Sequence, residues 1–586
     1  MEIAPSQPTD RREHVALVAV ICAVLLLTLV PYIYGWATCP TGMRFLGLIG
    51  QNGGDQAFYL GWGPKQAESG HLLFEDKYNG HAERRLVFNP LWLAMGWAAR
   101  LSGSSVLAVF HVERVLFSGA LLLAAYRLIS DFLPPLRWRL AALLLLALCS
   151  GFGALVVPFR EWGSPRGIFA VPPETWTPDL WVVESNVFLT MLWEVVLPCA
   201  TFLFFVALRS LYRLLFQNAG SALGTGLVTL LLASVYPYAA VSVYSILAAL
   251  VALRAAEGAS LLRGLREGAI VVAVSAPMVA YDAYLVLTDP RLTTGQAGYA
   301  SPGPLRYLVG FGVLSLLAPV GAYLLSRARA PHRRFLFVWV AVTLVQIYVP
   351  RSLVPFQMQL ILGVQLPLAI LAARALAAGA ESLRGTRLGR PLRVAAGAAL
   401  VLLVCALSTF TSAYHLVNVF KSLHLRTLPE YIDAELARAI EWMAKNTDES
   451  AVVLSSPEVA PYIPVLAHNR MFTGNYEAPT AGFAEKLERI RWLMDADAPK
   501  SDAEIAGFFR EHRIAYVLYD EGLRRLGGEA ARRRLEAVPG IALVFENDAA
   551  RLYQVSPQAE AVGDAPAATS STASRTSRAT ASGGRS

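Results

Sequence analysis

Eleven long apolar segments dominate this sequence and restrict it to the folds that a lipid bilayer allows. A helix needs about 20 mainly apolar residues to cross the hydrocarbon core of a membrane. Only 16% of the 586 residues are charged, whereas soluble domains carry about 25%. The predicted spans are 14–36, 106–129, 138–159, 186–208, 222–239, 240–256, 268–288, 305–326, 335–350, 355–379 and 392–415.

The placement of arginines gives these spans a direction. Short cytoplasmic loops of membrane proteins are enriched in Lys and Arg. With residues 1–13 in the cytoplasm, the arginine-bearing loops alternate as this rule requires. An odd number of spans then places everything after about residue 416 on the outer face, and we expect a bacterial inner membrane. The net charge of +8 is explained by these loops, so nucleic acid is not an expected partner.

The composition divides the chain into a membrane domain, an outer domain and a tail. The membrane domain, 14–424, contains a long outer loop, 37–105, and we expect its apolar segment 86–101 to lie in the membrane interface. Short buried strands alternate with polar helical stretches from 425 to 556. Residues 557–586 are rich in Ala, Ser and Thr, which predicts disorder. The predicted fold class is an α-helical polytopic membrane protein with about 11 spans and a small C-terminal α/β extracytoplasmic domain.

A carboxylate follows a glycine pair early in the outer loop. The stretch "GGDQAFYLGW" predicts a short helix that starts at Asp55. On this helix Asp55 and Tyr59 share one face at i, i+4, while Phe58 and Trp62 form the apolar face. Asp55 could then deprotonate an acceptor hydroxyl. The alternative is that Asp55 only caps the helix by accepting backbone N–H bonds.

The order of several segments resembles one superfamily of membrane enzymes. These segments are "GDQAFYL" after the first span, "NPLWLAMGWAARLSG" leading to "SVLAVFHVERVL", the loop "TPDLWVVESNVFLTML", then "VYPY", "FQMQLILGVQLPLAILAARAL" and "AIEWMAKNT". In this order they are similar to the GT-C superfamily of membrane glycosyltransferases. Within it they most resemble bacterial relatives of the protein O-mannosyltransferase and lipid A aminoarabinose transferase type. The resemblance extends over nearly the whole chain up to residue 556.

This resemblance implies transfer of a sugar from a polyprenyl-phosphate donor to a glycan, lipid or protein acceptor at the outer membrane face. By position, Asp55 matches the catalytic acid of the first loop, the expected general base. Many relatives have a second acid beside it, where this chain has Gln56. Asp179 and Glu184 match acids of the second outer loop that face the same cavity. If a divalent metal ion is present as a cofactor, Asp55, Asp179 and Glu184 are its expected ligands.

The phosphate of the donor requires cations or N–H groups, because a buried phosphate must be paired. The candidates on the outer side are His81, Arg84, Arg85 and Arg351. Relatives are expected to have an arginine within the stretch "FQMQLILG", where this chain has glutamines, and Arg351 lies just upstream. Arg84 and Arg85 could equally meet lipid headgroups. The loop acid Glu83 is a further candidate for substrate contact.

Other polar residues of the membrane domain permit two interpretations each. His111, Glu113 and Arg114 lie inside the second predicted span, and intramembrane ionisable residues suggest function. They could instead form a charge pair that locks two helices. The same two interpretations apply to Glu194 and His415. Tyr236 and Tyr238 could belong to an aromatic belt at the interface or line a groove for the carrier.

Two other functions compete with the glycosyltransferase hypothesis. The first is a polymerase or ligase of lipid-linked glycans that uses a pyrophosphate donor. The second is a transporter or a non-catalytic membrane scaffold. Transporters usually show repeated halves, and the sequence shows no internal repeat.

Overall fold

The structure of the chain is a computed structural model. It describes residues 11–556 except 51–52, 81–83, 159–171, 173–174, 289–299, 328–332, 351, 353, 355–356, 383–389, 476–479 and 499. The predicted disordered tail, 557–586, lies outside the described residues.

Helices in every predicted span confirm that the chain is a multi-pass membrane protein. Within the described residues, seven helices are long and apolar enough to cross a membrane: Arg11–Ala37, Val106–Ser130, Leu136–Val156, Val196–Phe216, Pro237–Ala256, Leu261–Thr288 and Gln357–Ser382. Two bent pairs raise the number to nine if each is one span. They are Pro304–Phe311 with Val313–Arg327, at 94°, and Val394–Leu407 with Phe410–Leu425, at 52°.

Within the described residues, seven to nine helices or bent pairs pass this test, compared with the eleven spans that the sequence predicted. The remaining two segments contain the helices Ala222–Val235 and Arg333–Gln346, each of 14 residues. At about 1.5 Å per residue, a helix of this length is shorter than the hydrocarbon core. Apolar composition alone does not reveal where a helix ends, and Tyr236–Pro237 ends the first of these two.

The centre of the membrane domain is built around the helix Gln357–Ser382. About 89% of its most apolar stretch is buried inside the protein. Gly321 allows the helix Val313–Arg327 to approach it closely, because a Cβ at that position would lie 1.9 Å from the carbonyl oxygen of Leu371. Small residues at such contacts are the usual means of close packing between membrane helices.

The first outer loop is folded into short elements. It contains strand β1 (Met43–Phe45) and the helices Gly53–Trp62, Pro64–Glu68 and Pro90–Ser102. The first of these helices begins at Gly53, so Asp55 lies within its first turn and is not the N-cap. The helix Pro90–Ser102 covers most of the apolar segment 86–101, whose location in the membrane interface stays a prediction. The side chain of Asn89 caps it by accepting from the N–H groups of Leu91 and Trp92.

The C-terminal region confirms the predicted alternation of strands and helices. Strand β2 (Tyr431–Asp433) pairs antiparallel with β1. The strands β3 (Val452–Leu454), β4 (Arg470–Met471), β5 (Ile514–Tyr519), β6 (Ile541–Glu546) and β7 (Arg551–Val555) form one sheet in the order β4-β3-β5-β7-β6. The pairs β4-β3 and β3-β5 are parallel, and the others are antiparallel. The helices of this region are Ala434–Asn446, Ile463–Ala467, Phe483–Met494, Asp502–Glu511 and Glu521–Ala537.

A buried ion pair attaches this sheet to the first outer loop. The carboxylate of Glu75 is 1% exposed and accepts from Arg470 Nη2 on β4 at 2.8 and 3.0 Å. Arg85 of the loop lies 3.3 Å from the same carboxylate and 2.9 Å from Glu449. A buried carboxylate that loses its partner is strongly destabilising. The loop is therefore fixed against the C-terminal region by charge as well as by strand pairing.

We predict that Arg470→Ala destabilises the protein by about 3 kcal/mol, because the buried carboxylate of Glu75 loses its two hydrogen bonds from Arg470. The thermal midpoint of the purified chain in detergent measures the effect. The control Arg438→Ala removes an exposed ion pair to Glu435, which is worth less than about 1 kcal/mol. Equal midpoints for the two variants would show that the Glu75–Arg470 pair does not hold the loop.

Candidate functional site

The helix Gly53–Trp62 presents Asp55 and Tyr59 on one face, as its sequence predicts. Phe58 is buried on the opposite face and packs against Trp62 at a ring-centroid distance of 5.0 Å. Tyr59 is 39% exposed. Burial nevertheless raises the pKa of the Tyr59 phenol well above its usual value, and the charges of Asp55 and Glu194 raise it further. The partly accessible region in which protein atoms surround Tyr59 is called the recess below.

Glu194 enters this recess from a break in the membrane domain. The helix Val187–Trp193 ends and the span Val196–Phe216 begins after it, with Glu194 itself extended at φ −121° and ψ 159°. Glu194 is 6% exposed. Burial raises the pKa of its carboxyl well above the usual value, and the nearby charges of Asp55 and Glu184 add to the effect. The protonated form of Glu194 is favoured as a result.

Glu184 completes the group of acids. It lies on the 3₁₀ turn Val183–Ser185, and its Oε1 accepts a hydrogen bond of 2.7 Å from the Tyr236 hydroxyl. Burial raises the pKa of Glu184, and this hydrogen bond partly opposes the rise. The charge of Glu184 also acts on Tyr59 and Glu194. Asp55, Glu184 and Glu194, with Tyr59 and Tyr236, are named the acid cluster below.

The backbone at the Glu194 break is held by the second span. Arg114 is fully buried, and its Nη1 donates to the carbonyl oxygens of Met191 and Leu192 at 2.8 and 3.4 Å. The Tyr32 hydroxyl also donates to the Leu192 carbonyl, at 2.6 Å. The last carbonyls of a helix have no partner within it. Arg114 is thus a positioning residue for Glu194, a role that its sequence context left open.

The structure does not bring Asp179 to the acid cluster. Its carboxylate accepts from the Gly153 N–H at 3.1 Å and from the Thr177 hydroxyl at 2.6 Å, while His415 contacts its carbonyl oxygen at 3.1 Å. The side chain is 1% exposed, and burial raises its pKa to about 6. One carboxylate oxygen therefore bonds Thr177 within the same loop and the other bonds Gly153, while the Asp179 carbonyl contacts His415.

The residues predicted to contact the substrate phosphate differ in their surroundings. Arg85 contacts Glu75, Glu449 and His71 in the attachment of the C-terminal region. Arg84 is exposed. The remaining three predicted residues, His81, Glu83 and Arg351, lie outside the described residues.

The predicted metal ligands are not assembled. Among the described residues, no three His, Cys, Asp or Glu side chains form a group that could hold a metal ion. Asp55 and Glu184 act on common neighbours, but the oxygens of Asp179 are bonded elsewhere. The residues present do not fit a metal held by Asp55, Asp179 and Glu184.

The glycine pair before Asp55 brings the C-terminal region up to the acid cluster. A Cβ on Gly53 would lie 2.3 Å from Pro429, and one on Gly54 would lie 2.9 Å from Asn475 Nδ2. Only residues without a side chain permit this approach. Asn475 therefore borders the helix turn that carries Asp55, a neighbour that the sequence did not predict because 420 positions of chain separate the two.

Comparisons with known proteins bear on the fold. No protein-family model and no curated protein matches the sequence. Among solved structures, an oligosaccharyltransferase of Archaeoglobus fulgidus tethered to an acceptor peptide matches with a TM-score of 0.50 and 13% identity, over 92% of this chain and 74% of that one. The arabinofuranosyltransferase AftD from Mycobacteria matches with a TM-score of 0.50 and 16% identity, over 94% of this chain and 42% of that one.

A further solved structure, ArnT from Cupriavidus metallidurans bound to undecaprenyl phosphate, has a TM-score of 0.49 and 11% identity, over 93% of this chain and 98% of that one. Similarity at such low identity concerns the fold, and activity must be argued from the site. The chain therefore shares its fold with the oligosaccharyltransferase and with AftD.

Proposed function

We propose that the protein is a glycosyltransferase that moves a sugar from a polyprenyl-phosphate donor to an acceptor hydroxyl. The observation that carries this proposal is the acid cluster, in which the charges of Asp55 and Glu194 both act on Tyr59 beside the start of a membrane span. The shared fold supports it, since the matched oligosaccharyltransferase and arabinofuranosyltransferase both transfer sugars by name. A lipid-linked donor suits a recess formed by an outer loop and membrane helices.

In the proposed reaction, Asp55 is the general base. An acceptor hydroxyl attacks the anomeric carbon of the donor and forms the new glycosidic bond, while Asp55 takes the hydroxyl proton. The bond from the anomeric carbon to the phosphate breaks, and the carrier phosphate leaves with the electron pair. The displacement is direct and inverts the anomeric centre. A positioned base of this kind contributes about 10²–10⁴-fold to the rate.

The other members of the cluster orient the reactants. Glu184, held by Tyr236, is placed to accept a hydrogen bond from the sugar or the acceptor. Tyr59 offers an accessible ring and hydroxyl in the recess. Protonated Glu194 adds no negative charge beside Asp55, which matters for admitting an anionic donor. Arg351, Arg84 and His81 stay the proposed contacts of the donor phosphate, with Glu83 beside them.

The proposed orientation follows the arginine pattern of the loops. Residues 1–13 lie in the cytoplasm, and the α/β region 425–556 lies on the outer face of the bacterial inner membrane. The acid cluster then opens on the outer side, where a glycan, lipid or protein acceptor is available. Labelling of single cysteines introduced at each end, in intact cells and in lysed cells, tests this orientation.

We predict that Asp55→Asn lowers sugar transfer at least about 100-fold, because the amide cannot take the acceptor proton. Transfer is measured in membranes of a deletion strain complemented with each variant, as label moved from the native lipid-linked sugars to acceptor. The control Asp502→Asn also removes an acid from the first turn of a helix, far along the chain. Transfer by Asp55→Asn equal to that of the control would show that Asp55 only stabilises its helix.

We predict that, at pH values above 5, Glu194→Gln has a higher thermal midpoint than the wild type. The difference between the two midpoints grows as the pH rises. A raised folded-state pKa means that the folded protein binds this proton more tightly than the unfolded chain. Stability is therefore lost as pH rises from the unfolded value of about 4.3 towards the folded value. Glutamine cannot ionise and avoids this loss. Glu488→Gln, at a side chain that is 68% exposed, is the control, and a midpoint for Glu194→Gln below wild type at pH 8 contradicts the prediction.

A further inference from the structure

A groove separate from the acid cluster lies between the first two membrane spans. It has a volume of about 670 Å³ and is formed by the end of the helix Arg11–Ala37 and the start of the helix Val106–Ser130. The first outer loop and the C-terminal region close its other sides. None of Asp55, Glu184 or Glu194 lines it. A volume of this size is typical of sites for small organic ligands.

The walls of the groove continue as apolar stripes down both helices. Ile33 lines the groove and is 55% exposed, and Ala108 lines the facing wall. Residues three or four positions apart share a helix face. The stripe below Ile33 consists of Val30 and Leu26, 46% and 58% exposed, and the stripe below Ala108 consists of Val112 and Leu116, 59% and 63% exposed. Two parallel exposed stripes that begin at one groove suit the two hydrocarbon chains of a lipid.

Charged side chains also line the groove. They are Arg44 and Lys65 of the first outer loop and Glu441 of the C-terminal region. Each cation already has one carboxylate partner, since Arg44 pairs with Glu441 and Lys65 lies 2.6 Å from Glu68. Each pair engages one N–H group, so within the described part of the chain four of the five N–H groups of Arg44 and two of the three of Lys65 are left for a second anion.

A buried cation lies directly below the groove. The guanidinium of Arg114 stacks on the ring of Tyr32, a groove residue, at 4.0 Å from the ring centroid. Its Nε and Nη2 atoms have no hydrogen-bond partner among the described residues. The Nδ1 atom of His111, a second groove residue, is also buried and has no hydrogen-bond partner among the described residues. A cation in these apolar surroundings attracts an anion into the groove above it.

The ends of the two spans set the depth of the groove in the membrane. Tyr32 lies in the last two turns of the first span, and Val106 is the first residue of the next. Trp36, 74% exposed, stands at the same level, where tryptophan marks the boundary between hydrocarbon and headgroups. A phospholipid of the surrounding leaflet has its phosphate and glycerol at this depth.

We propose that this groove binds one anionic glycerophospholipid, with its phosphate between Arg44 and Lys65 and its two acyl chains on the stripes of the two helices. The pair of apolar stripes favours a lipid with two acyl chains. Arg44, Lys65 and the buried Arg114 favour an anionic headgroup. This proposal does not depend on the transfer reaction, and its test measures lipid binding alone.

Native mass spectrometry of the full chain in detergent, titrated with phosphatidylglycerol and phosphatidylcholine, tests the proposal. We expect one phosphatidylglycerol bound about tenfold more tightly than phosphatidylcholine, since each surface cation contributes to binding an anionic head. Arg44→Gln with Lys65→Gln should remove this preference. The control pair Arg524→Gln with Lys445→Gln changes two exposed cations of the C-terminal region and should keep it.

Two further measurements locate the lipid and decide its class. Ala108→Trp fills the groove and should abolish the tight phosphatidylglycerol. Phosphatidylglycerol with brominated chains should quench tryptophan fluorescence in the wild type, and Trp36→Phe should remove part of that quenching. An unchanged preference in Arg44→Gln with Lys65→Gln, or unchanged binding in Ala108→Trp, overturns the proposal. Displacement of the bound phosphatidylglycerol by equimolar polyprenyl phosphate would also overturn it in favour of a single-chain carrier.

Discussion

The break in the polypeptide at Glu194 is the feature on which the rest of the site depends. A helix that stops inside apolar surroundings leaves carbonyl groups that water cannot reach, and each such group is costly. Arg114 and Tyr32 of two other spans supply the missing donors to the carbonyls of Met191 and Leu192. With these bonds made, the backbone can extend at Glu194 and carry its carboxyl towards Asp55. The three spans are thereby fixed to one another at the depth of the recess.

The first outer loop is held from both sides. On the membrane side, its helix Pro90–Ser102 packs against the membrane helix Val106–Ser130. On the other side, the C-terminal region approaches the loop at Gly53 and Gly54, pairs with it through β1 and β2, and binds Glu75 through Arg470. Loops that carry functional residues are usually positioned by rigid elements in this manner. The position of Asp55 thus depends on residues more than 370 positions further along the chain.

Local features of the sequence predicted much of the fold. Apolar length located helices in every span, and the i, i+4 spacing placed Asp55 and Tyr59 on one face. Alternating strands and helices identified the C-terminal sheet. The number of spans was less predictable, because Ala222–Val235 and Arg333–Gln346 end early for reasons that composition does not contain.

The candidate site was less predictable because its members meet only in three dimensions. The sequence identified Asp55 and Glu184 but left Glu194 undecided, since the break that exposes Glu194 depends on donors from other spans. Asp179 is an acid of the same loop as Glu184, yet its carboxylate accepts hydrogen bonds from Gly153 and Thr177. Arg85 likewise binds Glu75 and Glu449. Residue type and order show which groups are available, while the bonds they make decide which remain for a substrate.

The electrostatics of the acid cluster place a condition on any anionic donor. Three ionised carboxylates in one enclosed recess would repel one another and would repel a phosphate more strongly still. Burial opposes ionisation of Glu194 and Glu184, and Tyr236 donates a hydrogen bond to the latter. If Glu194 keeps its proton while Asp55 is ionised, the recess holds a base but does not carry the negative charges of all three carboxylates. The same burial that costs stability at higher pH therefore makes the recess compatible with a phosphate-linked sugar.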